Sequence, residues 1–354
     1  MTLISINAFY YIKWAAIVEI CLVILLIVFA YSAQFYYRKK AERRVITTAD
    51  MEKLFVSLAS TSEQNISHEL NFFKKNLPVL LQILPRIEAQ SLPHWPSIQV
   101  ILVEKILKPK ARRYAKSRRW SKRYFAVRCF SYGWDARDEP LLAKLIVDHT
   151  FLISLNAALV AVKKPTQSLV DTLIDFYSKG RRLQQSIFSA KFVESDPAIG
   201  AMVSKRLAVE TDPYILAFCY SLLTKLPVPD EMCPTVIRDI NSAVIDLKIA
   251  ALKYLAHQGP KTTKIIRRYL SDEHWQVRVV VIKLLSALKD YESLDIIGKS
   301  LQDEAWWVRM DAAQALMSFG EKGEAILRSQ DPEVDRYAYE VATRILQTSK
   351  QLKE

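Results

Sequence analysis

Residues 303–320 read DEAWWVRMDAAQALMSFG, and residues 272–288 read DEHWQVRVVVIKLLSAL. In both, an Asp is followed by Trp three residues later and by Val-Arg at the fifth and sixth steps. A shorter third copy, DPEVDRYAYEVATRIL, starts at Asp331 and keeps an arginine, Arg336. Upstream, IDLKIAALKYLA aligns Leu247-Lys248 with Val277-Arg278, so the register 247, 277, 308 advances by 30 and then 31 residues. Self-similarity at that period signals stacked supersecondary units, each too small to bury its apolar face alone.

Each unit carries the signals of a helix pair. The leading Asp can accept hydrogen bonds from the first free backbone N–H groups of a helix. Val308, Ala312, Ala313 and Leu316 recur at helical spacing and predict one buried stripe. Gly320 stands where a C-terminal cap is needed, and a shorter helix through Ala325, Ile326 and Leu327 follows. Asp-Pro pairs at 196–197, 212–213 and 331–332 repeat the start signal.

The Asp…Val-Arg-x-x-Ala-Ala-x-Ala-Leu pattern resembles the HEAT-like repeat family, including its short form in bilin lyases. The resemblance is specific over Asp272 to Gln330, fair over Leu247 to Ile345 and faint before that. It implies a right-handed α-solenoid in which Asp272, Asp303, Arg278 and Arg309 support contacts between successive repeats. Trp275 stands one repeat before Trp306, which makes both tryptophans part of the repeat framework, together with Arg336. Trp307 aligns with the polar Gln276 instead, so it is expected to face solvent and is a candidate protein contact.

The fold class expected is all-α: an N-terminal transmembrane helix followed by a HEAT-like α-solenoid. Seven glycines occur, none before Gly133, which disfavours glycine-rich phosphate-binding or sheet folds. The four cysteines form no CxxC pair and suit a reducing, cytosolic setting.

Charge is uneven. The segment from Lys105 to Arg128 contributes +11, residues 34–46 contribute +4, and the chain totals +13, so the remainder sits near −2. The core of the basic segment, LKPKARRYAKSRRWSKRYFAVR at 107–128, nominates Lys108, Lys110, Arg112, Arg113, Lys116, Arg118, Arg119, Lys122 and Arg123 as contacts for an anion or partner. Trp120, Tyr124 and Val127 lie at helical spacing and are expected in the core. Eleven cations with no carboxylate among them repel one another, which calls for a partner of opposite sign. Anionic headgroups and an acidic protein face both fit; nucleic acid is third, since a membrane anchor suits it poorly.

Residues 14–33, WAAIVEICLVILLIVFAYSA, are long enough to cross a bilayer core of roughly 30 Å. Aromatic residues bracket the stretch. Lys13 precedes it, whereas Arg38, Lys39, Lys40, Arg43 and Arg44 follow, which predicts an outward N-terminus and a cytosolic C-terminal part. Ala30-Tyr31-Ser32 offers a signal-cleavage alternative, but the basic run directly after it opposes export, and a retained anchor is favoured. Glu19 within the span either contacts another membrane helix or reaches the outer interface.

The five histidines lack metal-ligand spacing, His68-Glu69 has no second His at helical distance, and there is no Gly-x-Ser-x-Gly, phosphate loop or dinucleotide fingerprint. No cofactor is implied, and the sequence points away from an enzyme, a lyase being the least favoured reading. The expected organisation is an outward segment at 1–13, a span at 14–33, a basic juxtamembrane and helical linker or cap at 34–95, a solenoid at 96–348 (clearest over 242–346) and a tail at 349–354. The protein is expected in the cell membrane, single-pass (the inner membrane in a bacterium), as a scaffold or accessory subunit for another membrane-associated protein, in envelope biosynthesis or transport; an anionic-lipid module using 105–128 is the alternative.

Overall fold

The computed structural model describes residues 2–60, 69–90, 92–228 and 231–351, and among these residues helix is the only regular structure. His68 and residues 352–354 of the tail lie outside the described residues. The chain divides into two compact units: Met1–Ser117 with Arg128–Trp134, and Arg118–Val127 with Asp135–Glu354.

The first unit holds α1 (Thr2–Ser60), α2 (Leu70–Lys75), α3 (Leu77–Ala89), α4 (Trp95–Leu102) and α5 (Lys108–Ala115), with a wider, π-type turn at Val103–Leu107 between the last two. α1 is unbroken for 59 residues and runs past residue 34, where the apolar span is expected to give way to the helical linker. Neither glycine nor proline occurs in it, so nothing interrupts the hydrogen-bond ladder. Its most apolar eighteen-residue window has a mean hydropathy of 2.3, and the helix is long and apolar enough to cross a membrane. Residues 17–32 are exposed throughout. Near its C-terminal end Met51 and Phe55 are buried; Phe55 stacks on Phe73 at 5.0 Å and meets Trp95 edge-on at 5.8 Å. Ile98, Leu102, Ile106 and Leu107 are buried as well. Residues 96–117, expected in the solenoid, therefore belong to this unit.

The second unit takes α6 (Trp120–Phe130) as far as Val127 and continues through α7 (Glu139–Ile146), α8 (Phe151–Lys163), α9 (Gln167–Ser178), α10 (Arg182–Lys191), α11 (Ile199–Val209), α12 (Pro213–Leu223) and α13 (Val236–Asp239). Then follow α14 (Ile245–His257), α15 (Thr263–Ile266), α16 (Trp275–Ala287), α17 (Leu294–Lys299), α18 (Trp306–Ser318), α19 (Glu321–Arg328) and α20 (Arg336–Gln351).

Alternate helices share one register. Buried residues stand at Leu247, Ala251, Leu252 and Leu255 in α14, at Val277, Val281, Ile282 and Leu285 in α16, and at Val308, Ala312, Ala313 and Leu316 in α18. The same offsets of four, five and eight give Ile153, Ala157, Ala158 and Ala161 in α8, and Ile215, Cys219, Tyr220 and Leu223 in α12. Between them Phe188 of α10 and Phe192, just past its end, are buried. The array thus extends well before residue 242, with Ala126 and Val127 of α6 in the same places. Successive first helices pack on one another, α12 on α14, α14 on α16, α16 on α18 and α18 on α20. This stacking buries a continuous core.

Candidate functional site

A ladder of ion pairs joins neighbouring repeats. Arg278 donates from Nε to Asp303 Oδ2 at 2.8 Å and from Nη2 to Oδ1 at 2.8 Å, while Nη1 reaches back to the carbonyls of Asp272 and Glu273. One repeat earlier, Lys248 Nζ donates to Asp272 Oδ2 at 2.8 Å. Each aspartate also accepts the backbone N–H two residues on, Asp303 from Ala305 and Asp272 from His274. That Asx-type turn launches the next helix.

Arg123 repeats this geometry. Its Nε and Nη2 donate to Asp148 at 2.6 and 3.1 Å, Nη1 donates to the Arg118 carbonyl, and Asp148 accepts the Thr150 N–H. Arg123 is only 8% exposed, so it is a rung of the ladder and not an anion contact. The signal lay in the sequence: Trp120-x-x-Arg123 matches Trp275-x-x-Arg278, and 25 residues separate Arg123 from Asp148 as they separate Arg278 from Asp303. In the following repeat Ser154 holds the arginine position and bonds the Tyr177 hydroxyl at 2.9 Å instead.

Burial pushes the Asp148 and Asp272 carboxyls up. Hydrogen bonds from Arg123 and the Thr150 N–H, and from Lys248 and the His274 N–H respectively, outweigh it and hold both below the usual carboxylate range. The Asp303 hydrogen bond in turn raises Arg278.

Two expected framework residues behave otherwise. Arg309 donates to the carbonyls of Asp303 and Glu304 and lies over the Tyr337 ring at 5.4 Å, and its buried Nε has no hydrogen-bond partner. Arg336 pairs with Glu340 one turn along its own exposed helix face. The reason is the shortened final copy, in which Asp335 rather than Asp331 precedes the helix and accepts the N–H groups of Tyr337 and Ala338.

The repeat tryptophans open to solvent more than a framework role implies. Trp275 is 39% exposed, Trp306 44% and Trp307 56%, with the last two rings in edge-on contact at 4.7 Å. Trp120, expected in the core, is 56% exposed. All precede the first buried residue of their helices. Glu19 sits on the exposed apolar stretch of α1.

The basic residues are divided between the units. In the first, Lys108 pairs with Glu104 at 2.5 Å, Lys110 lies over the Tyr114 ring, Arg112 is half-buried, and Arg113 and Lys116 are exposed beside the buried Ala111 and Ala115. In the second, Arg118, Arg119 and Lys122 are exposed.

Among the described residues no group of His, Cys, Asp and Glu could hold a metal ion. Within the second unit a cavity of about 690 Å³ opens between α10, α12 and α14, and smaller ones of about 470 and 300 Å³ lie beside the Arg278–Asp303 rung and between α16 and α18.

No curated protein matches the chain. Among solved structures, human deoxyhypusine hydroxylase in complex with glycerol is similar at 13% identity, over 71% of this chain and 99% of that one, with a TM-score of 0.30. A likeness that loose carries no inference. The family model for HEAT repeats matches residues 234–317. With paired helices, a shared register of buried residues and charged rungs between neighbours over the same stretch, residues 234–317 of this chain are HEAT repeats.

Proposed function

We propose that the chain is a membrane-anchored scaffold or accessory subunit whose solenoid holds another membrane-associated protein, with envelope biosynthesis or transport as the setting and the C-terminal part in the cytosol. The observation that carries this reading is the exposed Trp306–Trp307 pair at a repeat end. Aromatic side chains of that kind supply large contact area at small entropic cost and dominate binding energy at interfaces. The long apolar α1 supports the anchor. Cross-linking mass spectrometry in native membranes tests it: the wild-type chain is expected to capture a membrane-associated protein through the second unit, and Trp307→Ala to weaken that capture several-fold. Capture unchanged in the variant, or no membrane partner, would overturn it.

A second reading rests on Arg113, Lys116, Arg118, Arg119 and Lys122, all exposed: each cation near an anionic leaflet adds about 1 kcal/mol. Charge reversal at Arg113, Arg118 and Arg119 would then abolish binding to phosphatidylserine vesicles at low salt.

A further inference from the structure

A cavity of about 690 Å³ in the second unit lies where α10 stands beside α12 and α14. That volume is in the range of small-ligand sites. Three cations line it, Arg182 from α10, Lys225 just after α12 and Lys253 from α14, and among the described residues none of their side chains is hydrogen-bonded or ion-paired. All three are exposed; like charges lining one concave surface repel, and they raise the local concentration of anions. One carboxylate, Asp246, shares the lining and is likewise without an ion pair.

The hydroxyls divide by role. Ser221 and Thr224 already donate to backbone carbonyls at 2.7 and 2.8 Å, so toward the cavity they offer lone pairs only. Gln185 spends an amide N–H on the Ser178 carbonyl at 2.8 Å, leaving its oxygen as an acceptor. Ser178 lines the cavity too, but its hydroxyl is buried beneath the surface and has no hydrogen-bond partner among the described residues. A cationic group of donors therefore adjoins a group of acceptors that includes one carboxylate.

We infer that this cavity binds a phosphomonoester carried on a polyhydroxylated body. The cations take the phosphate, while Asp246 and the acceptor oxygens receive the hydroxyl groups. Two sources carry this chemistry, a soluble sugar phosphate and the headgroup of a phosphoinositide-type lipid. An acidic peptide would satisfy the cations but would leave Asp246 facing like charge, which favours the polyol phosphate.

Isothermal titration of the full-length protein in detergent tests the assignment, with glucose 6-phosphate, inorganic phosphate and a short-chain phosphatidylinositol 4-phosphate as probes. The sugar phosphate is expected to bind more tightly than inorganic phosphate. Arg182→Ala, Lys225→Ala and Lys253→Ala should each weaken it by about tenfold, the loss of one charge-assisted hydrogen bond. Asp246→Asn should weaken the sugar phosphate and spare inorganic phosphate, and Lys75→Ala, at an exposed cation of the other unit, should change nothing. All these side chains are on the surface, and an unchanged melting temperature verifies that each variant is folded. Tighter binding of the sugar phosphate than of the lipid points to a free metabolite, and the reverse order to a headgroup; both support the site. Three results would sink it: no binding of any probe at millimolar concentration, equal losses in Lys75→Ala, or binding of a glutamate-rich peptide with the same residue dependence and no phosphate binding.

Discussion

Arg123 grips Asp148 with the same two nitrogens that Arg278 uses on Asp303, and the partner lies 25 residues along the chain in both cases. A residue from the most basic stretch of the sequence thus neutralises a carboxylate at the start of the next repeat.

Removing one side of this pair strands a charge in a poorly hydrated place. Arg123→Ala or Asp148→Ala is expected to destabilise the second unit by about 3 kcal/mol, whereas Arg119→Ala should stay within about 0.5 kcal/mol. Chemical denaturation followed by circular dichroism distinguishes the two. The double variant Arg123→Met, Asp148→Leu should recover most of the loss, because an apolar pair of similar volume removes the desolvation cost as well.

Acid should act on the same rungs. Asp148 and Asp272 have folded-state pKa values below the ordinary value of 3.8. Protons therefore bind the unfolded chain more readily, and the rungs contribute fully above that ordinary value. Their contribution declines as pH falls from there through the lower folded values. Melting temperatures measured from neutral pH downward should drop in that acid window, and the drop should be shallower in the Arg123→Met, Asp148→Leu variant.

Gly323 is fixed by close packing rather than by its dihedral angles. A Cβ at that position would lie 1.9 Å from the Leu316 carbonyl oxygen, which is backbone and cannot swing aside. Gly323→Ala is expected to cost about 3 kcal/mol by overpacking the α18–α19 junction. At Gly298 the nearest obstacle is the Ile326 side chain at 3.0 Å, so Gly298→Ala should cost less. Thermal melts of the two variants side by side test the order.

Core and rim tryptophan positions should separate cleanly. Leu285→Ala opens a cavity in a fully buried site and should cost about 2–5 kcal/mol. Trp307→Ala removes a larger side chain from an exposed one and should leave the unfolding midpoint nearly unchanged. A comparable loss in both would show that Trp307 is framework after all.

The clearest repeats were legible because two copies preserve Asp, Trp and Val-Arg in register. Arg123 was harder to see. Ser117 replaces the leading aspartate, and the surrounding cations make the motif look like a charge cluster. Its partner distance of 25 residues was available, but only when tested against the Arg278–Asp303 interval. The exposure of Trp120 and Trp275 depends on how the chain enters each helix, which periodicity does not encode. The cavity could not be read at all, since it arises from helices α10, α12 and α14 meeting imperfectly, and its buried Ser178 hydroxyl looks ordinary in sequence. Trp95 to Leu107 has a helical apolar pattern that serves either unit equally, and only the structure shows Trp95 meeting Phe55.

The continuity of α1 has a mechanical side. From Ala33, the last residue of the apolar stretch, to Phe55 there are 22 residues of uninterrupted helix, about 33 Å at the usual rise. With no glycine or proline to act as a joint, the segment behaves as a shaft. Its far end is seated in the Phe55–Phe73–Trp95 cluster, so the apolar stretch and a packed aromatic seat are two ends of one stiff rod.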